Sequence, residues 1–278
     1  MPLPEASHAL SRVVWNPDAI RRGTRRVPEE TPVAMSFNGS SYAVLMATPA
    51  DLEDFAIGFA LTEGIVSKPG EIAELEIVEV EDGIDCRMAL VASADRALQA
   101  RRRRMAGPVG CGLCGIETIA EAKRPVPRVG AEGFRLPAIS VLDAMQGLAG
   151  HQPLHGETHA VHAAAFHTAE RGIVLAREDV GRHNALDKLV GAMARNGEDA
   201  SAGALAITSR VSVEMVQKAA VAGSPVLIAV SAPTALAVRT AVEAGITLLA
   251  RARGSAFEVF TGAHRIEGLD TGDAPSEA

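Results

Sequence analysis

Short apolar runs alternate with amphipathic segments over the second half of the chain. The runs have the composition of strands and the segments between them have the apolar spacing of helices. The strands are expected at 172–178, 204–208, 225–230, 246–250 and 256–260, and the helices at 140–150, 184–195, 212–222 and 234–245. Because apolar strands separated by helices indicate a sheet covered on both faces, this pattern predicts an α/β fold.

The first half of the chain shows fewer clear elements. Residues 42–47 are expected to form a strand, and Thr48 is expected to cap a helix that ends at Gly64. Residues 72–80 and 86–91 indicate a hairpin around a tight turn. The first half is therefore predicted to be a smaller α+β unit.

The composition of the two ends completes the predicted domain organisation. Residues 1–25 are polar and irregular and are expected to form a flexible N-terminal arm, while 268–278 have the small, acidic composition of a disordered tail. Between them we expect an N-terminal α+β region over 26–137 and an α/β core over 138–267, with Ser140 capping the first helix of the core.

Charge and composition narrow the functional classes. The 278 residues include 27 basic and 34 acidic ones, a net charge of −7, which argues against a broad nucleic-acid-binding face. No segment reaches the roughly 18 apolar residues of a membrane helix, and the first thirty residues lack the hydrophobic block of a secretory signal. Three cysteines cannot form a disulfide framework. We therefore expect a cytoplasmic protein with no nucleic-acid or membrane partner.

Polar or small residues follow most of the predicted strands. They are Glu178-Asp179, Thr208-Ser209-Arg210, Ser231-Ala232-Pro233 and Thr261-Gly262. Ligands of α/β sheets bind beyond the carboxyl ends of the strands, so we expect a pocket there. Ser209 and Arg210 precede a helix capped by Ser212, and a hydroxyl, a guanidinium and a helix N-terminus together suit an anion. Ser231 opens a turn that a planar ring could approach, although a plain capping turn explains the turn equally well.

The segment GRHNALDK adds a second candidate for binding an anion. Arg182 can pair with a phosphate through two hydrogen bonds. The alternative is that Asp179 pairs with Arg182 while Asn184 caps the helix. Lys218 is expected to be a solvated charge, and His162 a buried histidine with its hydrogen bonds satisfied rather than a ligand.

Residues 107–118 read GPVGCGLCGIET and contain two of the three cysteines, Cys111 and Cys114. Cys86 lies alone in an apolar run and is expected to be a core residue. A structural zinc site needs four ligands, and the histidines between 151 and 167 do not form a compact zinc motif with this pair, although they leave a zinc site open. A redox pair should follow a strand, whereas the segment before this pair is basic and then glycine-rich.

Sulfur carriage is the third chemistry available to such a pair. A carrier thiol must accept a sulfur atom from a donor as a persulfide and deliver it inside another pocket. The glycines around Cys111 and Cys114 give the backbone the freedom that this requires. The thiolate is the reactive form, and both the arginines at 101–104 and the start of a helix at 116–123 would favour it.

A zinc-dependent nucleobase deaminase is an alternative reading of the same residues. Those enzymes carry H-x-E followed by P-C-x-x-C. This chain has His155-Gly156-Glu157 after the cysteine pair rather than before it, and Pro108 lies three residues from Cys111. Order and spacing therefore disfavour a deaminase-like hydrolase, which stays as the alternative.

Several motifs together resemble the FdhD/NarQ family. The segment CGLCG follows ATPADLEDFAIGFALTEGI and precedes REDVGRHNALDKLVG, TSRVSVEMVQKAA, SAPTALAV and GSAFEVFTG, in order over residues 25–265. Members of this family are accessory sulfurtransferases required for formate dehydrogenase activity. The resemblance implies that sulfur from a cysteine desulfurase is held as a persulfide on Cys111, with Cys114 as its partner. It further implies delivery to the molybdenum of the bis-molybdopterin guanine dinucleotide cofactor.

The resemblance also implies a fold and a cofactor site. The fold is a cytidine-deaminase-like three-layer core preceded by a small N-terminal region, in a homodimer with formate dehydrogenase as partner. No tightly bound metal is expected, and a guanine nucleotide should mimic the cofactor. The cofactor-binding segment corresponds to Phe257, Glu258, Val259, Phe260, Thr261 and Gly262.

Two departures from the family pattern concern the cofactor contacts. His159 stands where the family has a glycine, and Phe260 stands where it has a tyrosine.

A second alternative function is a chaperone that binds the cofactor and the dehydrogenase without sulfur chemistry. The sequence leaves open which dehydrogenase is served, the order of sulfur loading and cofactor binding, and the resting redox state of the two cysteines.

Overall fold

The computed structural model describes residues 3–105 and 125–269. These residues form fourteen strands and seven α-helices, with three short 3₁₀ helices at Pro69–Glu71, Ala200–Ala202 and Ala263–Arg265. The strands are β1 (Ser7–Asn16), β2 (Ala19–Pro28), β3 (Thr31–Phe37), β4 (Ser40–Ala47), β5 (Ile72–Val80), β6 (Gly83–Leu90), β7 (Leu136–Pro137), β8 (His162–Thr168), β9 (Gly172–Asp179), β10 (Ala204–Ile207), β11 (Val226–Ala229), β12 (Thr247–Arg253), β13 (Ala256–Thr261) and β14 (Ile266–Glu267). The α-helices are α1 (Leu52–Thr62), α2 (Ala92–Met105), α3 (Ala138–Ala149), α4 (Pro153–Thr158), α5 (Arg182–Asn196), α6 (Val213–Ala222) and α7 (Ala235–Ala244).

The second half of the chain is built on a six-stranded sheet with the order β13-β12-β11-β10-β8-β9. Strands β10, β11 and β12 are parallel, while β8 and β13 run antiparallel to their neighbours β10 and β12. Alternate residues point to opposite faces, so Leu205 and Leu227 pack on α5, α6 and α7, whereas Ala206 and Ile228 pack on α3. Helices thus cover both faces of the sheet, and the predicted α/β class with its three layers is confirmed.

The first half forms a separate four-stranded sheet with the order β4-β3-β6-β5. Its inner face packs on α1 and α2 through an apolar cluster that includes Val33, Phe55, Phe59 and Cys86. The strand predicted at 42–47 and the hairpin that β5 and β6 form are confirmed.

Helices α1 and α5 pack the N-terminal sheet unit against the core. They approach most closely at Gly58 and Gly191, where each glycine faces the backbone of the other helix. A Cβ atom on Gly58 would lie 1.7 Å from the carbonyl oxygen of Asp187, and one on Gly191 would lie 1.9 Å from that of Asp54. Only glycine permits this contact between the two helices.

Two predicted helix starts are wrong. Helix α1 begins at Leu52, with Asp51 as its N-cap in the left-handed region, rather than after Thr48. Thr48 is instead buried and hydrogen-bonds to the core: its amide donates to the Asp179 carboxylate and its hydroxyl accepts from the Val180 amide. Ser140 lies inside α3, which begins at Ala138.

The irregular arm expected over 1–25 requires correction as well. Strands β1 and β2 pair along their whole length as an antiparallel hairpin. Its turn is closed by Asn16, whose side-chain oxygen accepts hydrogen bonds from the amides of Asp18 and Ala19, as turn-forming asparagines do. The predicted tail from 270 onward lies outside the described residues, and the predicted domain boundaries at 137/138 and 267/268 stay predictions.

Candidate functional site

The carboxyl ends of four core strands meet at one edge of the sheet. Strand β9 is antiparallel to β8, so β9, β10, β11 and β12 all run in the same direction. The predicted residues at this edge are Asp179 at the end of β9, Arg182 just beyond it, Ser209 and Arg210 after β10, and Ser231 after β11. The segments after β10 and β11 are joined by a bridge between Val211 and Pro233. The topology therefore places four of the predicted binding residues, Arg182, Ser209, Arg210 and Ser231, along one edge.

The segment 257–262 divides between the two edges of the sheet. Because β13 is antiparallel to β12, Phe257 lies near the carboxyl edge, but Thr261 and Gly262 lie at the opposite edge. There the Thr261 hydroxyl donates to the carbonyl of Ile246 over 2.7 Å, and the Gly262 carbonyl accepts from the Thr247 hydroxyl over 2.9 Å. The expectation that Thr261 and Gly262 join the other strand ends was wrong, since it assumed that β13 is parallel to its neighbours.

The remaining residues of this segment differ in exposure. Phe257 and Val259 pack against the apolar core, whereas Glu258 and Phe260 point to the solvent-exposed side. Glu258 forms an exposed ion pair with Arg251 over 2.8 Å. Phe260, which replaces the family's tyrosine, is 39% exposed. The two outward side chains are the members of β13 that a ligand could reach.

A cavity of about 510 Å³ opens at the carboxyl edge beside β8, β10 and β11. Three of its lining residues are histidines, His155, His159 and His162, and Thr208, which follows β10, lines it as well. The rest of the lining is formed by Met145, Leu148, Gln152, Ala160, Val161 and Val230. Clefts with apolar walls and a few convergent polar groups are typical ligand sites.

Glu178 holds the helix that carries two of these histidines. Its carboxylate accepts hydrogen bonds from the amides of Leu154 and His155, each over 2.8 Å, at the start of α4. Burial raises the pKa of Glu178, and the two amide bonds partly oppose that rise. His155 is fixed further through Nδ1, which lies 3.2 Å from the carbonyl oxygen of Val161. The His155 ring is thereby oriented beside the cavity.

His159 has a backbone conformation that explains the glycine of the family pattern. Its φ of 56° and ψ of 29° lie in the left-handed region that favours glycine, at the C-cap of α4. Its ring meets that of His155 edge to face, with 5.4 Å between the centroids. The exchange of glycine for histidine thus adds an imidazole to the cavity wall at some cost in backbone strain.

His162 and Arg182 approach each other next to this cavity. Burial lowers the pKa of His162, and the positive charge of Arg182 lowers it further. The Nε atom of Arg182 is buried and has no hydrogen-bond partner among the described residues. The His162 imidazole is therefore favoured in its neutral form, and the Arg182 guanidinium keeps one N–H available.

The ion-pair partner of Asp179 is a lysine and not Arg182, which the sequence offered as the alternative. Asp179 pairs with Lys188 over 2.7 Å, and both side chains are completely buried. Asn184 and the amide of Gly181 also donate to the Asp179 carboxylate. Asp179 does not pair with Arg182, and Gly181 rather than Asn184 is the N-cap of α5. Most of the segment DVGRHNALDK thus serves a buried polar network, and Arg182 stays outside it.

Lys218 was wrongly expected to be solvated. It is 5% exposed and lies 2.8 Å and 2.9 Å from the two carboxylate oxygens of Asp187, which also accepts from the Thr62 hydroxyl over 2.6 Å. Burial lowers the pKa of Lys218, but attraction to Asp187 and Glu63 outweighs it and leaves that pKa raised. Lys218 thus joins α6 to α1 and α5.

The remaining predicted residues at the edge differ in accessibility. Ser209 is buried, and its hydroxyl donates to the carbonyl of Arg210. Arg210 itself is exposed at the mouth of the edge, and Ser231 is partly exposed. Ser212 precedes α6 as its N-cap but makes no side-chain capping bond. Among the predicted binding residues at this edge, Arg210 and Arg182 are therefore the cations with groups free for an anion.

Cys111 and Cys114 lie outside the described residues. Cys86 is completely buried, as predicted, and burial raises the pKa of its thiol to about 12.

Within residues 3–105 and 125–269, no group of three or more His, Cys, Asp or Glu side chains could hold a metal ion. No helix in the described part of the chain is long and apolar enough to cross a membrane.

The fold and this edge define an α/β protein with a histidine-lined cavity and two available arginines where four strands end. The FdhD/NarQ family model matches residues 28–267, and the chain belongs to the FdhD/NarQ family.

Relatives and a solved structure agree with this family. The chain is 54% identical over 253 residues to the sulfur carrier protein FdhD of Agrobacterium fabrum, covering 89% of this chain and 93% of that one. It is 53% identical over 246 residues to the protein of the same name from Brucella abortus, covering 88% and 91%. The crystal structure of a formate dehydrogenase accessory protein from Desulfotalea psychrophila superposes with a TM-score of 0.74 at 26% identity, covering 95% of this chain and all of that one.

Sequence reasoning missed the histidine-lined cavity. His155 and His159 were considered as possible zinc ligands, His155 also as part of a deaminase motif and His159 as a departure from the family, but neither as part of a cavity wall. The spacing of 155, 159 and 162 is a usable signal, because residues four apart share one face of a helix and His162 opens the next strand. Glu178 had no such signal, since its contact with α4 depends on the tertiary fold.

Proposed function

We propose that this chain is a sulfur carrier that receives sulfur from a cysteine desulfurase and delivers it to the bis-molybdopterin guanine dinucleotide cofactor of formate dehydrogenase. The observation that carries the proposal is the similarity over nearly the whole chain to relatives named sulfur carrier protein FdhD. The Cys-x-x-Cys pair within that span supplies the chemistry. The proposal makes the protein a sulfurtransferase.

Cys111 is the proposed sulfur acceptor and Cys114 its partner. The Cys111 thiolate attacks the terminal sulfur of a persulfide on the desulfurase, a new S–S bond forms at Cys111, and the desulfurase thiolate leaves with the electron pair of the broken bond. Cys86 is unsuited to this step because it is completely buried and its pKa of about 12 keeps it a thiol at neutral pH.

The carboxyl edge of the core sheet is the proposed place for the cofactor, which is the substrate here. Arg182 and Arg210 can bind its phosphates, since the buried Nε of Arg182 lacks a partner and Arg210 is exposed. Ser209, Ser231 and Phe257 lie along the same edge. The family resemblance also assigns Glu258, Val259, Phe260, Thr261 and Gly262 to cofactor binding. Of these, Glu258 and Phe260 are the accessible side chains, whereas Thr261 and Gly262 lie at the opposite edge of the sheet from Arg182 and Arg210. The terminal sulfur of the Cys111 persulfide is passed to a molybdenum centre in its reduced state. The S–S bond breaks, the Cys111 thiolate leaves with its electron pair, and the molybdenum supplies the two electrons that convert the transferred sulfur into the sulfido ligand.

Mass spectrometry tests the sulfur acceptor. The full chain is incubated with a cysteine desulfurase and cysteine, and the intact mass is measured without reductant. We expect a gain of about 32 Da, one sulfur atom, on the wild type and on the matched control Cys86→Ala, and none on Cys111→Ala. A full adduct on Cys111→Ala would refute the assignment. A Cys111→Ala Cys114→Ala variant that still supported an active dehydrogenase in cells would favour the chaperone alternative.

Binding of guanosine diphosphate tests the cofactor edge. We expect Arg210→Ala and Arg182→Ala each to weaken binding by at least about tenfold, because each removes a charged hydrogen bond to phosphate. Arg239→Ala is the matched control, since Arg239 is exposed on α7. Unchanged affinity in both site variants would show that the nucleotide binds elsewhere than at this edge.

A further inference from the structure

The histidine-lined cavity contains polar groups that the proposed phosphate contacts do not use. Thr208 is not one of them, because its hydroxyl already accepts a hydrogen bond from the Ala163 amide over 2.9 Å. The remaining polar side chains of the described lining are the three imidazoles and the amide of Gln152. This lining includes no carboxylate, lysine or arginine. The cavity therefore suits the edge of an uncharged polar ring better than it suits a further phosphate.

His155 supplies a hydrogen-bond acceptor to this cavity. Its Nδ1 atom lies 3.2 Å from the carbonyl oxygen of Val161. Because a carbonyl oxygen only accepts, Nδ1 carries the hydrogen, and in the neutral imidazole the lone pair is then on Nε2. The hydrogen bonds of His155 to described residues run from its amide to Glu178 and from Nδ1 to Val161. Both leave the lone pair of Nε2 available to a ligand.

The position of this nitrogen is fixed by the protein itself. Glu178 anchors the first turn of α4 through two amide hydrogen bonds of 2.8 Å. The ring of His159 packs edge to face on that of His155, with 5.4 Å between the centroids. A group that is held in this way loses little conformational freedom when a ligand binds. Nε2 of His155 can thus discriminate between ligands by the hydrogen-bonding groups on their edges.

A lone pair at a fixed position selects a ring that carries an N–H group. Guanine and pterin share an aminopyrimidinone ring, in which an N–H lies between the carbon with the amino group and the carbon with the oxo group. Adenine has a lone pair on the corresponding nitrogen, so it would leave Nε2 without a donor. A buried acceptor left unpaired costs about 1–3 kcal/mol. A site of this kind therefore rejects the ring that lacks the N–H.

The rest of the cavity wall suits the faces of such a ring. The volume of about 510 Å³ is within the range of small-molecule sites. Arg182 acts electrostatically on His162 at the cavity wall, and its buried Nε has no partner among the described residues. A ring in the cavity would thus have a cation for its phosphate close by. The apolar side chains that can pack on the ring are those of Met145, Leu148, Val161 and Val230.

We propose that Nε2 of His155 accepts a hydrogen bond from the ring N–H of an aminopyrimidinone, which makes the cavity a subsite for the pterin or the guanine of the cofactor. The inference rests on the proposed function and adds the residue that selects the ring. Gln152 and His162 are the groups of the lining that can bond the amino and oxo groups of the same ring.

Paired ligands that differ only in the ring N–H test the acceptor. One pair is guanosine diphosphate and its N1-methyl form, and the other is neopterin monophosphate and its N3-methyl form. We expect the full-length wild type to bind the unmethylated member of one pair at least about tenfold more tightly, since the methyl group removes the donor. The pair that shows the preference identifies the ring as guanine or pterin.

Two substitutions of His155 separate Nε2 from the rest of the ring. The amide of His155→Asn can replace Nδ1 in the bond to Val161 but supplies nothing at the position of Nε2, so the preference should fall below about threefold. The oxygen of His155→Gln can replace Nε2, and this variant should keep part of the preference. His264→Asn is the matched control, because His264 is exposed. The readout is a ratio of two affinities on one protein, so a general loss of stability does not imitate it.

Failure of this inference is distinguishable from failure of the proposed function. A wild type without preference in either pair, or a His155→Asn protein that keeps the full preference, would overturn the ring subsite. If Arg182→Ala still weakened binding of guanosine diphosphate, the proposed phosphate contacts would stand. A wild type that bound none of the four ligands would overturn the ring subsite and the cofactor edge together. Sulfur loading of Cys111 is measured without any of these ligands and is independent of each outcome.

Discussion

Gly58 and Gly191 face each other where α1 crosses α5. A Cβ atom built on either glycine would lie 2.8 Å from the backbone nitrogen of the other, and still closer to the carbonyl of Asp187 or Asp54. The contact brings Thr62 of α1 close enough to bond Asp187 of α5, and Asp54 close enough to bond Arg195 over 2.7 Å. The short distance between the helices therefore determines how the first sheet unit is joined to the core.

Substituting alanine for Gly58 tests this contact. Because the added Cβ meets backbone that cannot rotate away, we expect Gly58→Ala to lower the free energy of unfolding by about 3 kcal/mol or more, at or above the upper end for overpacked cores. Gly70→Ala is the matched control, since nothing lies within 4 Å of a Cβ there. Denaturant unfolding measures both, and equal stability of the two variants would argue against the close approach.

The buried Asp179–Lys188 pair gives a second stability prediction. Lys188→Met leaves the Asp179 carboxylate buried with its charge unpaired, so we expect a loss of about 3–5 kcal/mol in the free energy of unfolding. Asp179→Asn Lys188→Met should lose less than the two single variants together, because it leaves no buried charge.

The surface pair Arg171–Glu198, with its bond of 2.6 Å, serves as the control for the buried pair. The Arg171–Glu198 distance is as short as the Asp179–Lys188 distance. Arg171→Met should nevertheless lower the free energy of unfolding far less than Lys188→Met does, because water screens exposed charges. Urea unfolding of all the variants decides the matter. Similar losses for Arg171→Met and Lys188→Met would show that Asp179 is not confined as described.

The apolar runs identified the core strands because buried strands require apolar residues on both faces. The run 172–178 became β9 and the run 225–230 became β11, each within a residue or two of the observed ends. The strand His162–Thr168 was missed, since three alanines in a row carry little preference for a strand. It forms because burial between β9 and β10 favours small side chains there.

The direction of β13 and the side-chain pairs between distant residues could not be predicted from the sequence. Thr261 and Gly262 follow an apolar run as Thr208 does, yet β13 runs the other way and carries them to the far edge. Lys218 lies on a helix without any local sign of its distant partner Asp187. The hairpin over 7–28 was read as irregular because both of its faces are polar or mixed, so it lacks the alternation that marks a half-buried strand.

The pH dependence of stability should respond to His183. Burial, and then the charges of Arg182 and Lys218, lower the pKa of His183 to about 4, against the opposing effect of Glu214 and Glu63. An unfolded histidine titrates near pH 6.5, so between about pH 4 and 6.5 the unfolded chain binds more protons than the folded one. The free energy of unfolding therefore rises with pH in this window, and the contribution of His183 is complete above it and lost as the pH falls through it.

Replacing His183 removes its contribution to the dependence of the free energy of unfolding on pH. We expect the loss of stability of His183→Gln between about pH 7 and pH 5 to be smaller than that of the wild type. The exposed His151 provides the control His151→Gln, which should keep the wild-type slope. A His183→Gln protein with an unchanged slope in urea unfolding would contradict the lowered pKa.

His159 gives a prediction about backbone strain. A side chain in the left-handed region costs about 1–2 kcal/mol relative to glycine, so His159→Gly should keep or raise the stability while enlarging the cavity. His159→Val should lower the free energy of unfolding by about 1–2 kcal/mol relative to His159→Gly, because a β-branched residue fits that region poorly.

The relative stability of the valine and glycine variants at position 159, compared with the same pair at position 151, tests the left-handed conformation of His159. At His151, whose φ is not among the positive ones, valine should be as stable as glycine or more so. Thermal unfolding of the four variants provides the comparison. A His159→Val protein more stable than His159→Gly would contradict the left-handed conformation.

Transfer of radiolabelled sulfur is the most direct test of the proposed carrier function. The chain is first loaded by a cysteine desulfurase with labelled cysteine and freed of small molecules. It is then mixed with bis-molybdopterin guanine dinucleotide cofactor that lacks the sulfido ligand, and a cofactor-free formate dehydrogenase is added. We expect the label to leave Cys111, appear on the molybdenum cofactor and restore activity in proportion, and Cys111→Ala to transfer none. Activation without transfer of label, or equal transfer by Cys111→Ala, would contradict sulfur carriage by this protein.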